Sequence, residues 1–167
     1  EITALGLVGS IVAADKVYDG TVAASVTSSN LAGVISPDAV TLVVGAASFD
    51  DKNVGTRTAS AALSLTGGQA GNYSVNATAA DAAEITVKTL TVTGLTGDNK
   101  VYDGSTAASV SGTAALSGVV NPDVVALGGT PVYTFASADV ANGIAITTTG
   151  YTLGGADAGN YQLTQPG

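Results

Sequence analysis

The 167-residue chain has no cysteine, histidine, methionine or tryptophan, and its aromatic complement is six Tyr and two Phe. Each absence removes a chemistry. Without His or Cys there is no Ser-His-Asp triad, Cys-His pair, structural zinc site or proximal haem ligand. Without Cys there are no disulfides, so stability outside the cell has to come from packing and repetition. Basic residues are scarce too: five Lys and Arg stand against thirteen Asp and Glu, giving a net charge of −8. That balance opposes nucleic acid and anionic membrane surfaces as partners. Long apolar runs are missing as well. The opening stretch 2–14 is short and interrupted by Gly6, Gly9 and Ser10, so no membrane span is expected. What is abundant is 29 Ala, 22 Gly, 22 Thr and 21 Val, with a mean hydropathy of +0.39. Such a chain is too apolar and too weakly charged for disorder and suits a secreted β protein. It opens at Glu1 rather than Met and shows no basic n-region, which reads as part of something longer without a signal peptide.

Internal repetition organises the rest. KVYDG at 16–20, followed by TVAASV, returns as KVYDG at 100–104, followed by STAASV. GVISPD at 33–38 returns as GVVNPD at 118–123, and QAGNYSV at 69–75 as DAGNYQL at 157–163. Phe49 and Val54 match Phe135 and Val140, and Glu1–Thr3 recurs as Glu84–Thr86. The landmarks keep one order while their offset drifts by a few residues, as in a duplicated domain whose loops vary. The first repeat is assigned to 1–88, with 1–3 as the closing strand of a preceding repeat. The second is assigned to 89–167 and is expected to lack its own closing strand, leaving an exposed edge that recruits a neighbouring chain.

Alternation and turn punctuation predict strands throughout. They fall near 4–8, 21–27, 33–35, 39–49, 56–66, 72–78 and 84–87, then 89–95, 105–111, 118–120, 124–135, 143–153 and 160–164. Asp-Gly marks tight turns at 19–20 and 103–104, and Pro37 and Pro122 are expected at the first central position of a turn. The junction 83–94 reads as one strand that changes its buried face at Lys88, which predicts a stiff array. The fold class is all-β: two tandem immunoglobulin-like β-sandwich repeats, with a β-grasp-like repeat as the alternative.

Candidate sites are few. Tyr73 and Tyr161 sit where immunoglobulin-like domains place a tyrosine corner, with Val75 and Leu163 two residues on and facing the core. Tyr18 and Tyr102 are expected to be large core side chains among small ones. The acid groupings Asp15/Asp19, Asp98/Asp103, Asp50/Asp51 and Asp81/Glu84 lack the ligand ladder of a calcium loop and read as turn formers and solvated charge. An inter-repeat Ca2+ site near Asp81, Glu84 and Asp98 is the one cofactor reading left open. Carboxylate pairs suggest glycoside hydrolysis only where a cleft and aromatic platforms accompany them. Lys16 and Lys100, each near Asp or Asn, raise a Lys–Asn isopeptide cross-link against the plainer reading of a turn-flanking Lys. Tyr133 and Tyr151 have no aromatic counterpart in the first repeat, where Ala47 and Leu63 stand, and are the candidates for ligand contact. No catalytic, cofactor-binding or metal-binding residue is assigned.

KVYDG followed by T/S-x-A-A-S-V, then x-P-D, then AGNY running into EITVKTLTVTG, resembles the YDG-type repeat domain of large bacterial secreted and surface proteins. Many of these are filamentous-haemagglutinin-like adhesins exported by two-partner secretion. The resemblance covers nearly the whole chain, twice. It implies stalk or spacer repeats of an extracellular adhesin or biofilm-matrix protein, without catalytic residues, whose partners are adjacent repeats and perhaps a host or matrix glycan or protein. Tyr18, Asp19 and Gly20, with Tyr102, Asp103 and Gly104, match the family's naming motif and are read as fold determinants.

Overall fold

The computed structural model describes all residues, 1–167, and the chain is all-β. It divides into two compact units, Glu1–Thr86 and Val87–Gly167. In the first unit β1 (Leu5–Ala13) pairs antiparallel with β4 (Val26–Ala32) and parallel with β7 (Tyr73–Val75). A second sheet runs in the order β2 (Lys16–Val17), β8 (Thr78–Thr86), β6 (Gly55–Thr66), β5 (Thr41–Phe49), β3 (Ala23–Ala24). The core forms where the two sheets face each other. Ile11 of β1 meets Ala61 and Leu63 of β6, with Val26, Leu42, Val44, Ala47, Val75 and Ala79 packed around them. Alternation explains the pattern: Leu7, Gly9 and Ile11 point inward from β1, and Ala59, Ala61 and Leu63 from β6.

The second unit repeats most of this plan. Its β9 (Lys88–Gly97) pairs antiparallel with β10 (Val110–Ser117) and parallel with β13 (Tyr161–Thr164). Its other sheet is β11 (Ala126–Phe135) with β12 (Ile146–Gly154), joined by a single bridge from Ala107 to Thr134. β12 therefore pairs on one side only, whereas its counterpart β6 lies between β5 and β8. No helix of the chain is long and apolar enough to cross a membrane.

Several expected strands are corrected. Residues 33–35 and 118–120 are not strands. Gly33 and Gly118, both at φ +101°, turn the chain out of β geometry. Next, the amides of Asp38 and Asp123 close turns onto the carbonyls of Ile35 and Val120. Pro37 and Pro122 thus occupy the second central position, each after a cis peptide bond, which is the type VI arrangement rather than the one expected. The strand expected at 105–111 lies at 110–117, because the Asp-Gly turn and the loop after it hold 104–109 in a different structure. The junction is not one strand either: β8 ends at Thr86, β9 starts at Lys88, and Val87 belongs to neither. The change of buried parity is present, since Ile85 and Leu90 are both 0% exposed.

Candidate functional site

Two side-chain constellations recur in both units, and both are built from the repeated motifs. The first is made by KVYDG. Asp19 follows Tyr18 into the turn and its Oδ1 accepts bonds from the Thr21 amide and hydroxyl, each at 2.8 Å. Gly20, at φ 78°, supplies the left-handed residue this turn needs. Lys16 Nζ then donates to Asp19 Oδ1 at 2.8 Å, to the Thr21 carbonyl at 2.7 Å and to the Ala23 carbonyl at 3.0 Å. The same ammonium stands 5.6 Å from the centre of the Phe49 ring. In the second unit Lys100 repeats these contacts with Asp103, Ser105 and Ala107 at 2.8, 2.8 and 3.1 Å, over Phe135 at 5.9 Å. One ammonium thus fastens a seven-residue loop to the sheet beneath it.

Electrostatics follow the geometry. Partial burial pushes the Asp19 carboxyl up, but the bonds from Lys16 and Thr21 outweigh it and hold the group below the ordinary carboxylate value. For Asp103 the Lys100 bond leads, followed by the two from Ser105, and brings the pKa down to about 2. The acceptors around either ammonium are a carboxylate, carbonyls, a hydroxyl and a ring; no Asn side chain is among them, so the geometry offers no Lys–Asn pair for a cross-link.

The second constellation joins x-P-D to x-A-G-N-Y. Tyr73 donates through its hydroxyl to Asp38 Oδ2 at 2.6 Å and accepts the Ile35 amide at 3.3 Å. Tyr161 does the same with Asp123 at 2.6 Å and Val120 at 3.0 Å. The first residue of the motif completes the clasp, since Gln69 Oε1 accepts the Ala39 amide and Asp157 Oδ2 accepts the Val124 amide. A single 3-10 turn, 70–72 or 158–160, delivers each Tyr to its strand. The Asp38 bond raises the Tyr73 phenol above its usual pKa, and burial followed by the Asp123 bond carries Tyr161 to about 12. Unlike a tyrosine corner, which bonds backbone a few residues upstream, these hydroxyls reach a carboxylate in a distant loop. Val75 packs on the core as expected.

The other candidates separate. Tyr18 is 1% exposed, but Tyr102 is 63% exposed and is not a core residue. In the first unit Lys16 and Val17 pair with β8, and the Tyr18 amide donates to the Thr86 carbonyl; in the second unit no strand lies there to cover Tyr102. Tyr133 and Tyr151 are half-buried and joined hydroxyl to hydroxyl at 2.7 Å, with rings edge to face at 6.5 Å. That bond, then burial, raises Tyr151 to about 12. They occupy the core positions of Ala47 and Leu63, so their polar ends are turned to each other.

The acids serve backbone. Asp81 accepts the Ala13 amide, Asp15 the Glu84 amide and Asp50 the Thr58 amide. Asp51 caps the Asn53 amide and pairs with Arg57 at 3.2 Å. No group of three or more acidic side chains converges anywhere in the chain. Sequence reasoning missed the clamp of Asn76, which exchanges two bonds with Gly9 backbone at 2.7 and 3.0 Å; nothing in its neighbourhood marks it. It also missed the Lys–Phe contact, although both residues recur.

No curated protein and no solved structure matches the chain. The YDG domain model matches it twice, over residues 5–81 and 86–167. Two copies, each with the same lysine-fastened turn and the same tyrosine clasp, place this chain in the YDG domain family.

Proposed function

We propose that these domains are spacer repeats of a bacterial surface or secreted adhesin, holding a distal binding region away from the cell, with neighbouring repeats of the same polypeptide as their partners. The observation that carries the reading is the identity of the two fastenings in both units, Lys16 and Lys100 in one, Tyr73 and Tyr161 in the other. In them the polar groups that a binding or reacting site would use are spent on loops of their own domain. Local fastening of each unit suits a tandem array, in which stability is a sum of per-repeat terms. On this reading the chain is extracellular and non-enzymatic, binds neither nucleic acid nor metal, and does not insert in membranes. Each unit is assigned to the immunoglobulin-like kind of sandwich.

The test is replacement. In cells displaying the adhesin, these residues are exchanged for unrelated domains of matching length. Retained adhesion supports the spacer. Lost adhesion instead favours a glycan- or protein-binding module, for which binding of the isolated chain on a glycan array would vanish when Tyr133 and Tyr151 are both changed to Ala.

A further inference from the structure

In the first unit the outer edge of β6 is closed by β8. Gly55 to Ala62 pair antiparallel with Ile85 to Thr78, and Lys16 and Val17 pair parallel with Ile85 and Thr86 on the other side of that strand. β8 carries Ala83 and Ile85 into the interior, 5% and 0% exposed, and its polar residues outward. In the second unit the equivalents of these two edges are present and nothing lies between them. Aligning the pairs around Phe49 and Phe135 makes 142–149 the counterpart of Gly55–Ala62 and Lys100–Val101 the counterpart of Lys16–Val17. Between them runs an open groove of about 590 Å3, lined by Lys100, Tyr102, Phe135, Val140, Ile144 and Ile146 among others. Val101, Tyr102 and Val140 are 89%, 63% and 84% exposed. Immediately beyond, the edge is closed by a side chain: Gln165 accepts the Tyr151 amide and donates to the Tyr151 carbonyl, at 3.2 and 2.9 Å. In the first unit the backbone carbonyl of Ala77, just ahead of β8, takes the matching amide of Leu63.

We propose that this groove is a strand-acceptor site whose occupant is a β8-type strand of another YDG repeat. Such a strand is an extended segment of small inward residues ending in a β-branched aliphatic, added antiparallel to β12 and parallel to Lys100–Val101. The first unit shows the fit of that occupant, residue by residue. Main-chain bonds to both edges would supply affinity, and the alternating inward side chains specificity. The Ile85-equivalent residue carries most of the selectivity, because an inward charge there has no partner. The inference goes beyond the spacer reading and does not rest on it, since an accepting edge works alike in a binding module.

The experiment uses the full chain and a synthetic peptide spanning residues 77–87, followed by amide hydrogen exchange. At saturation the peptide should slow exchange at least tenfold across 142–149 and at 99–102, and an Ile85→Asp peptide should not. A second form of the chain, extended after Gly167 by the sequence of residues 80–86, should show the same protection without added peptide. Absence of protection at 142–149 in both forms overturns the proposal, as does equal protection by the Ile85→Asp peptide. Concentration-dependent protection of the same amides with no peptide present assigns the edge to a second copy of this chain and overturns the β8-type occupant.

Discussion

The Tyr73 hydroxyl and the Asp38 carboxylate, 35 residues apart in sequence, meet at 2.6 Å, and Tyr161 and Asp123 repeat the bond at the same length. Each phenol also accepts an amide from the loop that carries the acid. The clasp therefore fixes the x-P-D turn to the strand pairing in parallel with the first strand of each unit. Tyr161→Phe removes the donor to Asp123 and the acceptor of the Val120 amide while keeping the buried ring. The expected cost is about 1–3 kcal/mol, the penalty for leaving polar partners unmatched. Denaturant unfolding of the chain should show the loss in one transition and leave the other unit in place. Asp123→Asn should recover part of it in the Tyr161→Phe background, because the two groups share one interaction.

Much of this arrangement was legible in the sequence, and the limits are physical. Recurrence of x-P-D and x-A-G-N-Y showed that both mattered, but not that they touch, because a contact across 35 residues leaves no local periodicity. Alternation found β5, β6 and β11 to within a few residues, since one face of each is buried. It failed at 33–35 and 118–120, where apolar Ile35 and Val120 belong to turns. Tyr18 and Tyr102 lie in identical pentapeptides and yet differ from 1% to 63% exposed. Burial of the first is decided by β8, which is remote in sequence, so no reading of KVYDG alone separates them.

The lysine fastening gives a second prediction. Lys16→Met keeps most of the stem that lies beside Phe49 but removes the charge and its bonds to Asp19, Thr21 and Ala23. Hydrogen bonds to charged groups contribute roughly 1.5–3 kcal/mol each in favourable settings, and partial exposure reduces that. A net loss of about 1–2 kcal/mol is expected for the first unit. Lys16→Arg should not restore it, because a planar guanidinium cannot match acceptors arranged around a point charge. Thermal unfolding of the three proteins checks the order.

Gly104 isolates the cost of the Asp-Gly turn. Its φ is 73° and a Cβ there would meet nothing within 4 Å, so Gly104→Ala is purely a backbone change. The left-handed region costs an ordinary residue roughly 1–2 kcal/mol. Gly104→Asn should lose less, since Asn tolerates that region by bonding locally. Equal losses for Ala and Asn in denaturant titrations would mean that the position is limited by something other than φ.

The titrating groups set the pH range of the second unit. Asp103 has a folded pKa of about 2 against 3.8 for the free carboxylate, so its contribution is present above 3.8 and is lost as pH falls towards 2. Tyr161 has a folded pKa of about 12 against 10.0, so its contribution is complete below 10 and fades as pH rises from 10 to 12. Stability of this unit should therefore be flat through neutral pH and fall at both extremes. Acid sensitivity should diminish in Asp103→Asn, which starts less stable but no longer titrates there. Alkaline sensitivity should diminish in Tyr161→Phe, though Tyr151, also raised to about 12, leaves a residual slope. Tyrosinate absorbance recorded beside denaturant midpoints separates the two phenols from the exposed Tyr102, because groups held at about 12 ionise only where the midpoint has already begun to drop. If every tyrosine ionised near pH 10 with no loss of stability, neither the Asp123 clasp nor the Tyr133–Tyr151 pair would be formed in solution.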